Sequence, residues 1–418
     1  MHSPAKKAHF LDALKIPAIR YFIAANGIFS LAGRALTVVI GFQIYKITHN
    51  PLSLGWLGLF EAIPSISLVL FGGYVADHYN RKKILLITRG ASVVCGTMLA
   101  AISARSHNHT IGWLYTVIFF AGIAKSFAEP AGSALEAQVV PKTLAVNASS
   151  WITSIWISCS ITGPAVIGFI FDARGPVACY IFITVCFAGS WVLTSLIQPA
   201  YEHLPPKKEP LLKSLISGWH FVFSHQPFWG ALTLDLFAVL FGGAIALLPV
   251  YAEDILHVGA KGLGFLNAAP SAGALIIMLI ATHKPPIAKA GRNLLLTVLG
   301  FGISFIIFAF SKNFWISITA LFFTGIFDGV SMIIRRTILR LLSPEHMRGR
   351  IAAASWIFIS ASNELGAFES GMLASLIGVV PCVALGGCLT LGIVALMAVT
   401  APELRKLKFN LHTMEQEK

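Results

Sequence analysis

Several ionisable side chains lie inside long apolar segments of this sequence, where a charge is costly unless it is paired or functional. Side chains in such places carry protons, pair with one another or contact a charged substrate. The candidates are Arg34, Glu61, Lys125, Glu129, Asp235, Asp328, Glu364 and Glu369. This pattern is typical of proteins that move charge or substrate through an apolar phase.

For several of these residues the spacing leaves two interpretations open. Lys125 and Glu129 are four residues apart, so on a helix they could simply neutralise each other. Asp328 could carry a proton, or it could pair with Arg335 or Arg336 about two helical turns further on. Both interpretations are kept for each residue, because spacing alone does not decide between a structural and a functional charge.

Two pairs of acids lie within or directly after apolar segments. Glu364 and Glu369 belong to the stretch SNELGAFESG, where they could contact each other or help to couple transport to an ion. Glu253 and Asp254 directly follow an apolar span, so we expect them to be solvated at its end. The first pair is therefore a functional candidate and the second is not.

A charged turn, Asp77 to Lys83, separates two long apolar segments abruptly. In a helix–turn–helix arrangement, Gly73 is expected to let a neighbouring helix approach. Asp77 would end the first helix and face the positive N-terminus of another helix, with Arg81 one turn away to hold it in place. Lys82 adds to the basic charge. These residues form a candidate gate, and a plain basic turn is the alternative.

Motifs of the common nucleotide-driven and hydrolytic enzymes do not occur in the sequence. It has no G-x-x-x-x-G-K-[ST] phosphate loop, which argues against ATP as the energy source. It also has no HExxH, no Cys/His spacing of a zinc site and no GxSxG. We therefore expect no enzymatic activity, no cofactor and no bound metal. An ion gradient, most simply of protons, is the expected energy source, with sodium ions as the alternative.

The composition is that of an integral membrane protein. The 418 residues are 56% hydrophobic and only 12% charged, against roughly 25% charged residues in soluble domains. A membrane-spanning helix needs about 20 mostly apolar residues. Twelve segments meet this requirement, at about 18–45, 52–76, 84–104, 110–133, 144–171, 177–198, 226–252, 260–282, 291–310, 314–340, 350–377 and 380–401.

The net charge of +13 follows the membrane topology. If both termini are cytoplasmic, 23 of the 31 Lys and Arg residues fall in cytoplasmic segments and five in the opposite connections. This bias is what the positive-inside rule predicts for an even number of spans. We therefore expect a monomeric, multi-pass protein of the bacterial cytoplasmic (inner) membrane. Its basic segments are expected to contact anionic lipid headgroups, and no nucleic-acid partner is expected.

The longest interruption of the apolar pattern, residues 199–225, leaves six spans on either side. It is rich in Pro and Lys and contains the amphipathic stretch Leu211–Phe223. The sequence therefore predicts an all-α integral membrane fold with twelve transmembrane helices in two six-helix bundles. The bundles are residues 1–198 and residues 226–418, the latter with a cytoplasmic tail, and 199–225 is a cytoplasmic linker. This layout is typical of secondary transporters, whose small-molecule site lies between the halves.

The stretch GYVADHYNRKK, residues 73–83, resembles the signature G-x-x-x-D-[RK]-x-[GN]-R-[RK] between helices 2 and 3 of the major facilitator superfamily, with His78 in place of the usual basic residue. The segments LTLDLFAVLFGGAIALLPVYAEDILHV and RRTILRLLSPEHMRGRIAAASW resemble the enterobactin-exporter branch, which includes relatives of macrolide efflux pumps. The resemblance implies that Arg34 and Asp235 lie on helices lining a central cavity. There they would be a coupling pair or contacts for an anionic substrate.

A second motif, Gly163-Pro164-Ala-Val-Ile-Gly168, resembles the later part of a Gly-Pro motif associated with antiporters of this superfamily, although the upstream glycines are absent. It favours export over uptake. Together these resemblances predict a proton-coupled antiporter that exports a siderophore or similar amphipathic small molecule by alternating access, with Asp235 or Asp328 carrying the proton. A broad macrolide-type drug efflux pump is the alternative. A membrane-embedded enzyme or a sensor without transport activity is the hypothesis of another class.

Overall fold

The computed structural model describes residues 12–105, 110–198, 211–282, 286–344 and 347–409. Within these ranges the chain is helical and contains no strand, which confirms the predicted all-α class. The α-helices, in chain order, are α1 (Asp12–Lys15), α2 (Pro17–Thr48), α3 (Pro51–His78), α4 (Arg81–Ala104), α5 (Thr110–Val139), α6 (Ala145–Ser195), α7 (Leu211–Ser224), α8 (Gln226–Phe241), α9 (Leu248–Val250), α10 (Gly259–Ala281), α11 (Ala290–Phe310), α12 (Phe314–Leu342), α13 (Arg348–Ile377), α14 (Val379–Thr400) and α15 (Pro402–Lys406).

Ten helical segments of the described chain are long and apolar enough to cross a membrane. One of them, α6, has 51 residues and is broken at Gly175, whose φ of 74° is a conformation that favours glycine. It therefore accounts for two of the predicted spans, 144–171 and 177–198. The 30-residue α13 corresponds to the predicted span 350–377. With these two additions, the twelve predicted spans are all accounted for, and the chain is a multi-pass membrane protein.

Large apolar side chains point outward over much of the helical surface. Val399, Leu376, Ile87 and Trp315 are each more than 70% exposed. In water, contiguous apolar surface of this kind would be unfavourable, whereas hydrocarbon chains of lipid solvate it well. The outward-facing residues therefore agree with the membrane assignment made from composition.

The chain forms two compact units. The first contains the described residues of Met1–Ile40 and Ile63–Lys207. In this unit α4 packs against both α5 and α6. Its core includes Ile19 and Phe22 of α2, Leu85 of α4, and Leu135 of α5, all less than 4% exposed. Apolar residues on the facing sides of these helices thus hold the charged turn between α3 and α4 in a fixed place.

The second unit contains the described residues of Gly41–Ala62 and Lys208–Lys418. Its core joins α8, α11, α12, α14 and α15 through the fully buried Leu234, Leu294, Ile334 and Leu404. A short segment from the N-terminal half of the sequence, residues 41–62, therefore belongs to this unit. The predicted division into residues 1–198, 199–225 and 226–418 stays a prediction.

The apolar segment that begins at Gln226 is not one continuous α-helix. After α8 come a 3₁₀ turn (Gly243–Ile245), the short α9 and a π-helix (Tyr251–Ile255). A Cβ atom at Gly243 would lie 2.5 Å from the carbonyl oxygen of Gly366 in α13. The glycine therefore lets α8 and α13 approach closely at the interruption.

The amphipathic stretch Leu211–Phe223 coincides with helix α7. Val222 of this helix is buried against Phe228 and Ile351, whereas Trp219 and Phe223 are exposed. One face of α7 is therefore attached to the second unit. The other face carries aromatic side chains of the kind found at membrane–water interfaces.

Candidate functional site

The predicted gate lies where α3 ends at His78 and α4 begins at Arg81. Asn80 caps α4, because its side-chain oxygen accepts a hydrogen bond from the backbone N–H of Lys83 at 3.1 Å. Asp77 is half-buried and makes contacts inside the molecule. The predicted turn is present but shorter than expected, because α3 continues to His78 and α4 already begins at Arg81.

The basic side chains of the turn bind backbone carbonyl oxygens of neighbouring helices. Arg81 donates through Nη1 to the carbonyl of Ala134 in α5 and through Nε to that of Ala76, both at 3.3 Å. Lys82 donates through Nζ to the carbonyl of Ser195 at the end of α6, at 2.7 Å. The carbonyls of Ala76 and Ser195 lie in the last turns of α3 and α6, where carbonyls lack partners within the helix and a cation is favourable. The turn therefore ties α5 and α6 to α3 and α4.

The expectation for Gly73 was wrong. No heavy atom from another part of the described chain lies within 4 Å of a Cβ atom built at this residue. The close approach occurs one residue earlier, since a Cβ atom at Gly72 would lie 2.2 Å from the carbonyl oxygen of Ser126. Adjacent helical positions face directions about 100° apart, and the sequence pattern did not show which of the two faces α5.

The antiporter-like motif brings α6 against α2. Gly163, Pro164 and Gly168 are buried, and a Cβ atom at Gly163 would lie 2.9 Å from the carbonyl oxygen of Leu31 and 3.2 Å from the Cβ atom of Arg34. Only glycine fits without moving one of the helices. The motif therefore sets the position of Arg34, one of the predicted substrate contacts.

Arg34 is exposed in the middle of α2, with its guanidinium 4.9 Å from the ring centroid of Trp156 in α6. This is cation–π geometry, in which the ring face attracts the positive charge. Arg34 makes further contacts within the molecule. An exposed arginine at the centre of a membrane helix needs a polar environment, so this face of α2 suits a polar or anionic ligand.

Arg89 is a buried charge that sequence reasoning passed over. It is only 2% exposed, and its guanidinium donates to the Asn26 and Thr194 side chains and, at 3.4 Å, to the carbonyl of Ser190. The ring of Phe29 lies 5.2 Å away. These acceptors are neutral. In the sequence, this residue is recognisable as an arginine inside an apolar span, about two helical turns after Arg81.

The second unit contains a buried ion pair between α8 and α12. Asp235 and Arg335 are 5% and 8% exposed, and a carboxylate oxygen of Asp235 contacts Nη1 of Arg335. The other terminal nitrogen, Nη2, lies 3.5 Å from Asp328, whose side chain is half-exposed. Asp328 and Arg335 are seven residues apart, two turns along one face of α12. The sequence proposed this contact for Asp328 but did not pair Arg335 with Asp235.

The two carboxylates line a cavity that opens to the exterior, with about 240 Å³ of empty space when the open part is included. Its walls come from α8, α11 and α12, and they combine the acids with hydroxyl groups and aromatic rings. The lining residues are Asp235, Ala238, Val239, Thr297, Val298, Phe301, Phe327, Asp328 and Ser331.

The charges of this centre do not balance, because two carboxylates surround one guanidinium. One carboxylate is buried and paired, and the second is open to the cavity. The cost of removing charges from water is offset only when each is well paired. The arrangement can therefore exchange a proton or a cation at the cavity while Arg335 keeps one carboxylate partner.

The remaining predicted residues are not among those that line this cavity. Glu61 is half-buried in α3 and Glu129 is exposed in α5, and both make contacts within the molecule. Glu369 in α13 is half-buried, with the hydroxyl of Ser370 at 3.3 Å. The side chain of Glu364 lies outside the described part of the structure. A role of these residues in transport stays a prediction.

Comparison with known proteins decides the family. The sequence model of the Major Facilitator Superfamily matches residues 22–363. The chain belongs to this superfamily. Members of the superfamily are transporters, so the protein is a transporter rather than an enzyme, in agreement with the absence of hydrolase and nucleotide-binding motifs.

Two related proteins align with nearly the whole chain. The chain is 26% identical over 395 residues to the enterobactin exporter EntS of Shigella flexneri, covering 94% of this chain and 93% of that protein. It is 25% identical over 392 residues to EntS of Escherichia fergusonii, covering 94% of each. The resemblance to the enterobactin-exporter branch is therefore confirmed at the level of distant homology.

Solved transporters share the fold at much lower identity. A POT family transporter in complex with 5-aminolevulinic acid has a TM-score of 0.75 at 11% identity, covering 92% of this chain and 96% of that chain. A bacterial homologue of the iron transporter ferroportin, in an inward-facing state, has a TM-score of 0.70 at 14% identity, covering 94% and 99%. At such identities the likeness concerns the fold alone.

Proposed function

We propose that this protein is a proton-coupled antiporter that exports a siderophore or a similar amphipathic small molecule by alternating access. The observation that carries the proposal is the centre formed by Asp235, Arg335 and Asp328 at the wall of a cavity. The coverage of about 94% with relatives named as enterobactin exporters supports the cargo class.

In the proposed cycle, the proton binds to a carboxylate of this centre. While both acids are ionised, Arg335 neutralises one of them and the centre keeps one negative charge. A proton entering from the acidic side neutralises the second carboxylate, so the centre can be exposed to the other side without a net buried charge. Release of that proton on the cytoplasmic side restores the charged state, and substrate leaves in the opposite direction.

Arg34 is the proposed substrate contact in the first unit. Its guanidinium is exposed, in contrast to that of the buried Arg89, and the ring of Trp156 limits the directions in which it can point. A guanidinium donates two parallel hydrogen bonds to paired oxygen atoms. Siderophores bind iron through such oxygen pairs, so this contact suits the proposed cargo.

The charged turn is the proposed cytoplasmic gate. Arg81 and Lys82 hold helix carbonyls in the first unit. Asp77, near the end of α3, is the acid of the motif, and in the proposed gate it faces a helix N-terminus. Asp77→Asn is expected to lower transport severalfold while the protein still folds. Normal flux in this variant would remove the gate assignment.

The proposed setting is the bacterial inner membrane, with both termini in the cytoplasm and the protein acting as a monomer. Anionic lipid headgroups would contact the basic cytoplasmic segments. The proton gradient across that membrane would supply the energy.

The test compares cells with and without this protein under iron limitation, using mass spectrometry of the medium and of cell extracts. We expect a siderophore to be depleted from the medium and to accumulate inside cells that lack the protein. An unchanged siderophore distribution together with raised sensitivity to added drugs would overturn the cargo assignment and favour drug efflux.

A further inference from the structure

One buried hydroxyl group at the wall of the cavity has no hydrogen-bond partner in the described part of the chain. Helix α12 carries five hydroxyl side chains, and four of them donate hydrogen bonds within the molecule, namely Ser317, Thr319, Thr324 and Thr337. The fifth, Ser331, makes none among the described residues, although it is only 5% exposed and lines the cavity. A buried polar group without a partner is costly and calls for a ligand such as an ion or a water molecule.

Three further side chains bring oxygen atoms to the same cavity. Asp328 precedes Ser331 by three residues, so the carboxylate and the hydroxyl lie on one face of α12. Thr297 of α11 is 9% exposed and donates to the carbonyl of Leu294 at 2.9 Å, which leaves the lone pairs of its own oxygen available. Asp235 supplies a second carboxylate. None of the side chains that line the cavity carries nitrogen or sulfur, so its polar wall consists of oxygen ligands.

Helix α8 ends beside these ligands. Its last turn runs to Phe241 and includes Ala238 and Val239, both of which line the cavity. The C-terminal end of a helix carries a partial negative charge, because its last carbonyl groups have no partners within the helix. In secondary transporters, the C-terminal ends of interrupted helices coordinate small cations. The end of α8 therefore adds to the attraction of the cavity for a cation.

The net charge of the centre selects a monovalent ion. Asp235 and Asp328 share the single guanidinium of Arg335, so one negative charge is left over. A singly charged cation neutralises the centre, whereas a doubly charged one would leave a positive charge within the membrane. Arg335 does not line the cavity, and the lining residues of α11 are uncharged. Hard cations prefer oxygen ligands, and sodium is the hard monovalent cation that this set suits.

A second group of acids in the same unit shows the contrast. Lys46 Nζ lies 3.6 Å from Glu253 Oε1, with side chains 46% and 27% exposed, and the hydroxyl of Tyr45 donates to a carboxylate oxygen of Asp254. Solvation was expected for both acids; Asp254 is exposed, whereas Glu253 is only partly exposed and paired. Water screens charges in such places. Ser331 and its neighbours in the cavity wall are buried by contrast, so they offer a cation oxygen ligands in place of water.

We propose that the cavity is a binding site for one sodium ion, with the carboxylate of Asp328 and the hydroxyl groups of Ser331 and Thr297 as its protein ligands. The inference rests on the proposed function, because the ion occupies a carboxylate of the centre to which the proton is proposed to bind. Sodium ion and proton therefore exclude each other at Asp328. Arg335 keeps Asp235 as its partner in either state.

The first experiment measures the binding of radiolabelled sodium to the purified protein in detergent, without cargo and without a gradient. N-methyl-D-glucamine chloride keeps the ionic strength constant. We expect the wild type to bind sodium saturably, with one ion per molecule. Ser331→Ala should weaken this binding about tenfold, equivalent to about 1.4 kcal/mol, and Asp328→Asn should abolish it.

The matched control is Ser304→Ala in α11. Ser304 is also 5% exposed, but its hydroxyl donates to the carbonyl of Gly300 at 2.8 Å and the residue does not line the cavity. Its variant should bind sodium within about twofold of the wild type. An absence of saturable sodium binding in the wild type would overturn the site, as would equal weakening in Ser331→Ala and Ser304→Ala.

The second experiment separates loss of binding from loss of folding. A ligand that binds only the folded state raises the unfolding midpoint. Sodium chloride, compared with N-methyl-D-glucamine chloride, should raise the midpoint of the wild type and of Ser304→Ala and leave that of Ser331→Ala unchanged. In the sodium-free buffer Ser331→Ala should be as stable as the wild type, because its hydroxyl has no partner to lose. A lower midpoint of Ser331→Ala in that buffer would contradict the assignment of this hydroxyl as a free ligand.

Competition identifies the class of ion. Unlabelled sodium chloride should displace the label, whereas calcium chloride at the same concentration should not, because its second charge stays uncompensated. Displacement by calcium at lower concentrations than by sodium would overturn the monovalent assignment. Because neither cargo nor gradient is present, a failure to find siderophore export in cells would leave sodium binding intact. A failure of sodium binding would likewise leave the export test unaffected.

Discussion

Among the side chains that the structure describes, each unit of this transporter buries one arginine, and the two arginines have different partners. Arg89 in the first unit is held by neutral oxygen atoms of Asn26, Ser190 and Thr194. Arg335 in the second unit is held by carboxylates. Neutral amide, hydroxyl and carbonyl acceptors do not titrate, whereas a carboxylate can gain or lose a proton. In the proposed mechanism, burial alone does not make an arginine part of coupling, because its partners must also be able to change charge.

Breaking the buried pair should give the largest effect. Asp235→Asn leaves the charge of Arg335 with only the more distant Asp328, and we expect a loss of about 3–5 kcal/mol in the free energy of unfolding. The unfolding midpoint in detergent should fall by about 5 °C or more. Transport driven by a proton gradient should also be lost.

A second variant separates these two consequences. Asp235→Asn/Arg335→Leu removes both charges of the pair and should recover most of the midpoint, because a buried pair can be replaced by apolar groups at little cost. It should not recover proton-driven transport. Recovery of both properties would mean that the pair is structural and would remove the distinction between the two arginines.

The matching change in the first unit is Arg89→Lys. The ammonium keeps the charge but cannot reproduce the planar fork that reaches acceptors on α2 and α6 at once. We expect a loss of about 2 kcal/mol in the free energy of unfolding, the scale of hydrogen bonds to charged groups. Transport per folded molecule should keep its dependence on pH. A changed pH profile would place Arg89 in coupling and contradict the comparison.

A smaller effect on stability and a selective effect on function are expected for Asp328→Asn. The side chain is half-exposed and 3.5 Å from Arg335, so its loss should change the free energy of unfolding by less than about 0.5 kcal/mol. Proton-driven transport should fall by about tenfold. Glu403→Gln, which neutralises an exposed acid in the same unit, is the control and should behave like the wild type in both assays.

The smallest effect concerns the stacking of Arg34 on Trp156. Trp156→Leu removes the ring face, and exposed cation–π contacts contribute about 0.5–1 kcal/mol. The KM for substrate in proteoliposomes should therefore rise about two- to fivefold, with kcat little changed. Trp113→Leu removes an exposed tryptophan of the same unit and should leave KM unchanged. Equal shifts of KM in the two variants would contradict a role of Arg34 in substrate binding.

Most of the architecture could be predicted from sequence. Apolar segments of about 20 residues have one stable solution in lipid, which is the helix, so the twelve spans and the charged turn at Asp77 to Lys83 follow from composition. The break at Gly175 could also be placed, because the two spans around it are separately long enough to cross a membrane.

The candidate site was only partly predictable. The pairing of Asp328 with Arg335 follows from helical spacing within one element. The contact of Arg335 with Asp235, the position of Arg89 and the pairing of Tyr45 with Asp254 each depend on how separate helices pack. In one sequence, no local pattern carries that information. The shift from Gly73 to Gly72 shows the same limit for a single helix face.

Transport by purified protein in liposomes under an imposed pH gradient tests the central claim most directly. The measured quantity is the initial rate of siderophore movement, with and without the gradient, for the wild type and for Asp328→Asn. The account predicts that a gradient acidic on the side to which substrate moves accelerates the wild type and leaves Asp328→Asn nearly unaffected. Equal wild-type rates with and without the gradient would contradict proton coupling at this centre.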